Sequence, residues 1–268
     1  TPKDPSEGAL KGTSDLLDEF DANAKDIDIY VHGTTLAANA IIERKGTKVG
    51  LITTKGFRDL LEIGTEQMYD IYDMFLKIPE PLVPRPLRME VEERIDSKGT
   101  ILTPLNEKDV LEASRKLKDL GVKAIAVCLL HSYINPEHEK RIGELIKSNL
   151  PAIDISLSSE IAPEIREYER TSTTVINAYL GPPVKSYLKS LGKRLQGKGM
   201  NGRLMMMQSS GGMLDAETVQ EKPAQIVECG PAAGVIGGAY LGQQIGCKNL
   251  ITFDMGGTTA KASLIENG

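Results

Sequence analysis

A chain of 268 residues, 40% hydrophobic and 26% charged, holds enough apolar side chain for one large or two medium globular domains. Its net charge of −5 leaves no basic footprint for a nucleic acid, and with no Trp and four Phe it lacks a stacking platform for bases. No run approaches the roughly 20 apolar residues of a bilayer span, and the polar stretch from Thr1 to Gly12 has no signal-peptide core.

A cytoplasmic protein without membrane contact is therefore the expectation. Cys128, Cys229 and Cys247 are far apart and form no CxxC pair, which argues for a reducing compartment and against structural zinc.

In chain order, a helix is predicted over Ser6 to Glu19 with Ser6 as its N-cap. A strand follows from Ile27 to His32, then a helix entered through Gly33-Thr34-Thr35 and running to Arg44. Lys48 to Thr53 reads as a buried strand and Phe57 to Glu62 as a short helix. Four prolines between Met68 and Arg88 forbid regular helix and predict an irregular arm. Arg88 to Ile95 alternates as a half-exposed strand, and Ile101 to Thr103 pairs back on it.

Asn106 to Leu120 is a helix stopped by Gly121. Val122 to Leu130 is apolar throughout, as a strand buried on both faces of a parallel sheet should be. A helix over Asn135 to Ser148 and a strand over Ile153 to Leu157 complete a βαβ layer. A helix from Glu164 to Leu180 is expected to break at Gly181-Pro182-Pro183 and resume from Val184 to Leu195. Leu204 to Met207 is a strand whose Met205-Met206-Met207 fills core. A short helix at Glu217 to Gln220, a small-residue helix over Ala232 to Gly246 and a strand from Asn249 to Asp254 follow. The alternation defines an α/β fold. The last residues read as a hairpin entered but not completed, and both ends are expected to have been cut.

Four segments carry chemistry. In Asp254-Met255-Gly256-Gly257-Thr258-Thr259 a strand ends in a carboxylate, then two glycines and two hydroxyls. Glycines let backbone amides approach a polyphosphate, and Asp254 is placed to hold a Mg2+-bound water. It is neither a Walker loop nor a dinucleotide fingerprint, and an ordinary Gly-Gly hairpin turn explains it equally. In Glu228-Cys229-Gly230-Pro231 a helix of Gly and Ala begins, with free amides and a positive dipole end; tight core packing accounts for the helix body. In His32-Gly33-Thr34-Thr35 a strand end passes into a helix, where α/β sheets bind ligands. There one Thr is explained as an N-cap, and His32 is either structural or a general acid/base.

Gln208-Ser209-Ser210-Gly211-Gly212 is either a ligand loop or a plain connection. Cys229 lacks an activating base and is read as a bystander, and His131 with His138 is not a metal pair.

Taken together, the stretches His32 to Gly46, Gln208 to Gly212, Glu228 to Gly234 and Phe253 to Thr259 resemble the hydantoinase/oxoprolinase family, of the ATP-dependent hydantoinase A type. The resemblance implies an actin-like, RNase H-like ATPase of the sugar kinase–Hsp70–actin superfamily with an inserted βαβ layer. On that reading residues 1–66 belong to the N-terminal RNase H-like half and 67–160 to the inserted subdomain. Residues 161–248 then complete the first half and linker, and 249–268 open the second half with its phosphate hairpin.

The resemblance further implies ATP and Mg2+ as cofactors and a cyclic amide or ketone as substrate. A hydantoinase B-type subunit or domain is the implied partner. Asp254 would be catalytic and metal-binding, with His32 catalytic beside it. Gly256, Gly257, Thr258, Thr259, Gly230, Gly211 and Gly212 would contact nucleotide, and Thr34, Thr35, Ser210 and Glu228 the substrate. Ring-opening hydrolysis driven by carbonyl phosphorylation is the implied reaction. The alternatives are an acetone- or acetophenone-type carboxylase and an actin- or Hsp70-like module without small-molecule chemistry. Many family hairpins carry Asp where this chain has Lys261.

Overall fold

The computed structural model of the chain describes residues 5–65, 70, 72–76, 78–256 and 260–268. Two compact units are present, one of residues 46–182 and the other of residues 1–45 together with 183–268. Among the described residues no helix is long and apolar enough to cross a membrane.

The discontinuous unit begins with α1 (Pro5–Glu19), so that Ser6, expected as the cap, lies buried within the first turn. β1 (Ile29–His32) and α2 (Leu36–Ile42) follow, joined by Gly33-Thr34-Thr35. Chain 46–182 then opens with β2 (Val49–Thr54), buried at every residue, and α3 (Leu60–Ile63). Of the arm expected over 68–88, residues 68, 69, 71 and 77 lie outside the described residues. Residues 78–84 carry no helix or strand, and Arg85–Leu87 form one 3-10 turn.

The strand predicted from Arg88 to Ile95 is two: β3 (Arg88–Val91) and β4 (Arg94–Ile95). The break falls where Glu93 turns inward. Its carboxylate accepts from the Thr54 hydroxyl and meets His138 Nδ1 at 2.8 Å. β5 (Ile101–Thr103) pairs antiparallel with β4 across a turn in which Asp96 Oδ1 accepts from the Lys98 and Thr100 amides at 2.8 and 2.9 Å.

α4 (Glu107–Asp119) is capped by the Asn106 side chain, which accepts from the Lys108 amide, and carries acids in its first turn and lysines in its last. Gly121, at φ 78°, ends it in the left-handed conformation. β6 (Ala124–Cys128) is buried throughout, and α5 (Glu137–Asn149), β7 (Asp154–Leu157) and α6 (Ser158–Ile161) follow. The four parallel strands run in the order β3-β2-β6-β7. β2, read from sequence as part of segment 1–66, thus lies in the middle of this sheet, between β3 and β6.

α7 (Glu167–Gly197) is one unbroken helix of 31 residues, where the sequence predicted two. Pro182 and Pro183 lack the N–H groups that would bond carbonyls one turn back. The Tyr179 carbonyl instead accepts from the Thr47 amide at 3.0 Å, so a distant strand entry replaces the missing donor. One of the two carbonyls that the prolines orphan is satisfied in this way, which lowers the cost of carrying the helix through them.

β8 (Arg203–Met207), β9 (Met213–Asp215) and α8 (Ala216–Glu221) return the chain to the discontinuous unit. β1 pairs parallel with β8, and β8 antiparallel with β9, a strand the sequence reading did not assign. Met206 is fully buried, as expected of core. α9 (Cys229–Gln244) begins three residues before its predicted start and packs beside the hairpin of β10 (Leu250–Met255) and β11 (Ala260–Ile265).

Candidate functional site

The parallel register places His32 opposite Met206, so the loops leaving β1 and β8 emerge at the same carboxyl edge of the sheet. In open α/β folds that edge is where ligands bind.

His32 closes β1. Its Nε2 lies 2.7 Å from the Tyr187 hydroxyl of α7, and its ring stacks on Tyr30 at 6.1 Å between centroids. Burial holds the ring's pKa below its ordinary 6.5 and favours neutral imidazole. The loop after it is stapled by hydroxyl and thiol. Thr34 Oγ1 accepts from the Leu36 amide at 3.2 Å, while Thr35, at the N-cap position of α2, makes no capping hydrogen bond and accepts through Oγ1 from Asn39 Nδ2.

Cys229, the first residue of α9, is buried. Its Sγ donates to the Thr34 carbonyl at 3.1 Å and accepts from the Thr34 amide at 3.3 Å. Burial raises the thiol's pKa, so it stays protonated and acts as a clamp. Gly230 lies against the Thr35 methyl: a Cβ there would stand 3.5 Å from Cγ2.

The second loop is held by Gln225, which the sequence reading passed over. Ser209 donates through its amide and its hydroxyl to the Gln225 carbonyl at 2.8 and 2.9 Å, and Gln208 Nε2 donates to Gln225 Oε1 at 3.2 Å. The Glu228 amide in turn donates to Ser209 Oγ at 3.0 Å. Gly211, at φ 90°, turns the loop back, and a Cβ on it would come within 2.9 Å of Ile236. Ser210 and Gly212 are exposed on the outer side.

The hairpin enters through helix–strand packing. Gly234, Gly238 and Gly242 recur every fourth residue on α9, and the last two are where β10 arrives. A Cβ at Gly238 would overlap the Thr252 methyl, and one at Gly242 would stand 2.6 Å from Leu250 Cδ2. This is the close backbone approach that the Gly/Ala content predicted, but it is confined to one face: of α9 only Cys229 and Gly242 are buried, so the helix body is not the tightly packed core element expected. Asp254 is exposed near the strand end, opposite Lys261 in the register. The Lys261 ammonium pairs with the Glu228 carboxylate.

The fold therefore gathers His32, Thr34, Thr35, Ser209, Gly211, Glu228 and Gly230 at one sheet edge and ties the Asp254 hairpin to them through Lys261. Gly256 is exposed just past the strand; Gly257, Thr258 and Thr259 lie outside the described residues. Tyr187 and Gln225 were missed because their partners, His32 and Ser209, are remote in sequence and no local motif marks them. His138 meets the Glu93 carboxylate through Nδ1 at 2.8 Å in the interior of the other unit.

Comparison with known proteins gives these loops a context. A family model described as hydantoinase/oxoprolinase N-terminal region matches residues 1–150, and one described as hydantoinase/oxoprolinase matches residues 170–268. An uncharacterized protein of Methanocaldococcus jannaschii is 46% identical over 100% of this chain and 39% of its own length. The crystal structure of the ATP-dependent caprolactamase from Pseudomonas jessenii superposes with a TM-score of 0.87 at 34% identity, over 98% of this chain and 39% of that one. The nucleotide-free structure of an acetone carboxylase, described with its ATP-dependent carboxylation, superposes with a TM-score of 0.90 at 30% identity, over 100% of this chain and 40% of that one.

The chain thus spans about two-fifths of the length of these relatives. It shares their mixed α/β fold with a parallel sheet, consistent with an actin-like ATPase. Matched along nearly its whole length, the chain belongs to the hydantoinase/oxoprolinase family.

Proposed function

We propose that this chain is the nucleotide-gripping and substrate-orienting part of an ATP-dependent cyclic amide hydrolase, acting with a hydantoinase B-type partner. The observation that carries this reading is the meeting of the Thr34 loop, the Ser209 loop and the Glu228 turn at one sheet edge, with Asp254 joined to them by Lys261.

An amide carbonyl is a poor electrophile, and Mg·ATP supplies the phosphoryl group that makes its oxygen a leaving group. Among the described residues no cluster of three His, Cys, Asp or Glu would cage a metal. One exposed carboxylate, Asp254, suits Mg2+ that arrives with its phosphates and keeps most of its waters. Backbone amides around Gly256 and Gly257, with the hydroxyls of Thr258 and Thr259, would hold phosphate oxygens. The α9 N-terminus at Gly230 and the turn at Gly211 and Gly212 would add partial positive charge and room for close approach.

On the substrate side stand Thr34, Thr35, Ser210 and Glu228. Neutral His32, oriented by Tyr187, is in the state to accept a proton from an attacking water. The likeness to a caprolactamase favours an amide substrate. The likeness to an acetone carboxylase supports a second reading, in which the activated group is a ketone or its carbon donor.

The test is ADP release by the intact protein with its partner, against hydantoins, 5-oxoproline and ketones with bicarbonate. Turnover that depends on a cyclic amide supports hydrolysis; turnover only with a ketone and bicarbonate moves the assignment to the carboxylase. Asp254→Ala should lower turnover by about 100-fold or more, the scale seen when a preorganised charge-stabilising group is removed. Unchanged turnover in that variant would overturn the role given to the hairpin.

A further inference from the structure

In the scheme above Lys261 links the hairpin to the Glu228 turn but is given no part in binding. Residues directly opposed in an antiparallel pair point to the same face, so the side chains of Lys261 and Asp254 share a face of the hairpin. Leu250 and Thr252, on that same alternation of β10, reach Gly242 and Gly238. The face bearing Asp254 and Lys261 is therefore the one turned toward α9, and there the ammonium finds the Glu228 carboxylate.

Glu228 holds a particular position. Its amide is committed to Ser209, and the thiol of the next residue grips Thr34. Its carboxylate is half-exposed, and among the described residues the interaction that engages it is the ion pair with Lys261. A lysine ammonium is a compact charge on a flexible stem with three donors, able to change partners without moving the backbone.

We propose that Lys261 is a positioning residue that exchanges Glu228 for an incoming polyphosphate beside Asp254, releasing the Glu228 carboxylate to accept from a substrate N–H. Binding is then ordered, nucleotide before amide. In the free protein Glu228 is masked by its counterion; a polyphosphate, with several negative oxygens, outcompetes a single carboxylate for the same ammonium. This rests on the proposed function in taking the hairpin as the nucleotide end of the site.

Titration calorimetry of the intact protein with Mg2+ and a non-hydrolysable ATP analogue separates the possibilities. The pair is exposed, so its removal should change an equilibrium by about two- to fivefold, not a hundredfold. Glu228→Gln removes the competitor and should tighten nucleotide binding by that factor; Lys261→Met should weaken it. The double variant should match Lys261→Met alone, because Glu228 acts on nucleotide only through Lys261. A merely structural pair gives no tightening.

If the wild type binds nucleotide but Glu228→Gln binds it no better, or the tightening persists without Lys261, the exchange is overturned and the proposed function stands. Failure of the wild type to bind nucleotide overturns both. Matching circular-dichroism melts establish that each variant is folded.

Discussion

His32 and Cys229 are both titratable groups that burial keeps in their neutral forms, and the chemistry available to each differs accordingly. A neutral thiol clamps; a neutral imidazole has a lone pair to offer. The folded pKa of His32 lies below 6.5, its value in the unfolded chain, so as pH falls the unfolded state takes up the proton first. The stability contributed by the neutral ring is complete above pH 6.5 and is lost as pH falls through the folded value.

An NMR titration of the His32 ring should accordingly give a midpoint below 6.5. A midpoint at or above that value would mean the ring is solvated and would remove the case for a base. Local sequence exposed part of this arrangement and hid the rest. A strand running into Gly-Thr-Thr signals a loop at a sheet edge, and the clustering of small polar residues there follows from the need to turn tightly. Tyr187 gives no such signal, because a helix residue 155 positions away meets His32 only through the fold.

At the scale of elements, α9 and β10 show how composition becomes geometry. A side chain at Gly238 collides with Thr252, whereas one at Gly237 meets nothing within 4 Å. Gly238→Val should therefore destabilise the chain by about 1–3 kcal/mol through overpacking. Gly237→Ala should stabilise it by up to about 1 kcal/mol through helix propensity. Thermal or denaturant unfolding of the two variants measures the contrast, and equal effects would refute the packing described.

The Gly/Ala content made the close approach readable in advance, since few other reasons exist to weaken a helix with so much glycine. The proline pair in α7 misled for an equally physical reason. The rule that proline breaks a helix presumes that the freed carbonyl stays unsatisfied, and here Thr47 satisfies it. No window centred on 182 contains residue 47. The short strand β9 was hidden by the glycines before it, which read as a connection when they are the turn of a pairing.

For the whole molecule, apolar surface is the conspicuous feature. On the outer face of the hairpin Ile251, Phe253 and Met255 are 70%, 66% and 72% exposed, and Tyr240 and Leu241 of α9 are exposed as well, with Ile245 just beyond its end. Monomeric soluble proteins seldom leave a strand face with three large apolar side chains bare. The 268-residue chain by itself should therefore associate at micromolar concentration, and Phe253→Asp should reduce that association. Sedimentation at 29.1 kDa across the whole concentration range would contradict this.

The division into two units has a temporal meaning too. Residues 46–182 are a single continuous stretch, and every strand in their parallel sheet has its partners within it. The other unit must wait. β1 is made early, yet its described sheet partner is β8, some 170 residues downstream, so during synthesis on the ribosome it stands unpaired while the intervening stretch folds. A chaperone surveying the nascent chain would meet an unpaired strand here.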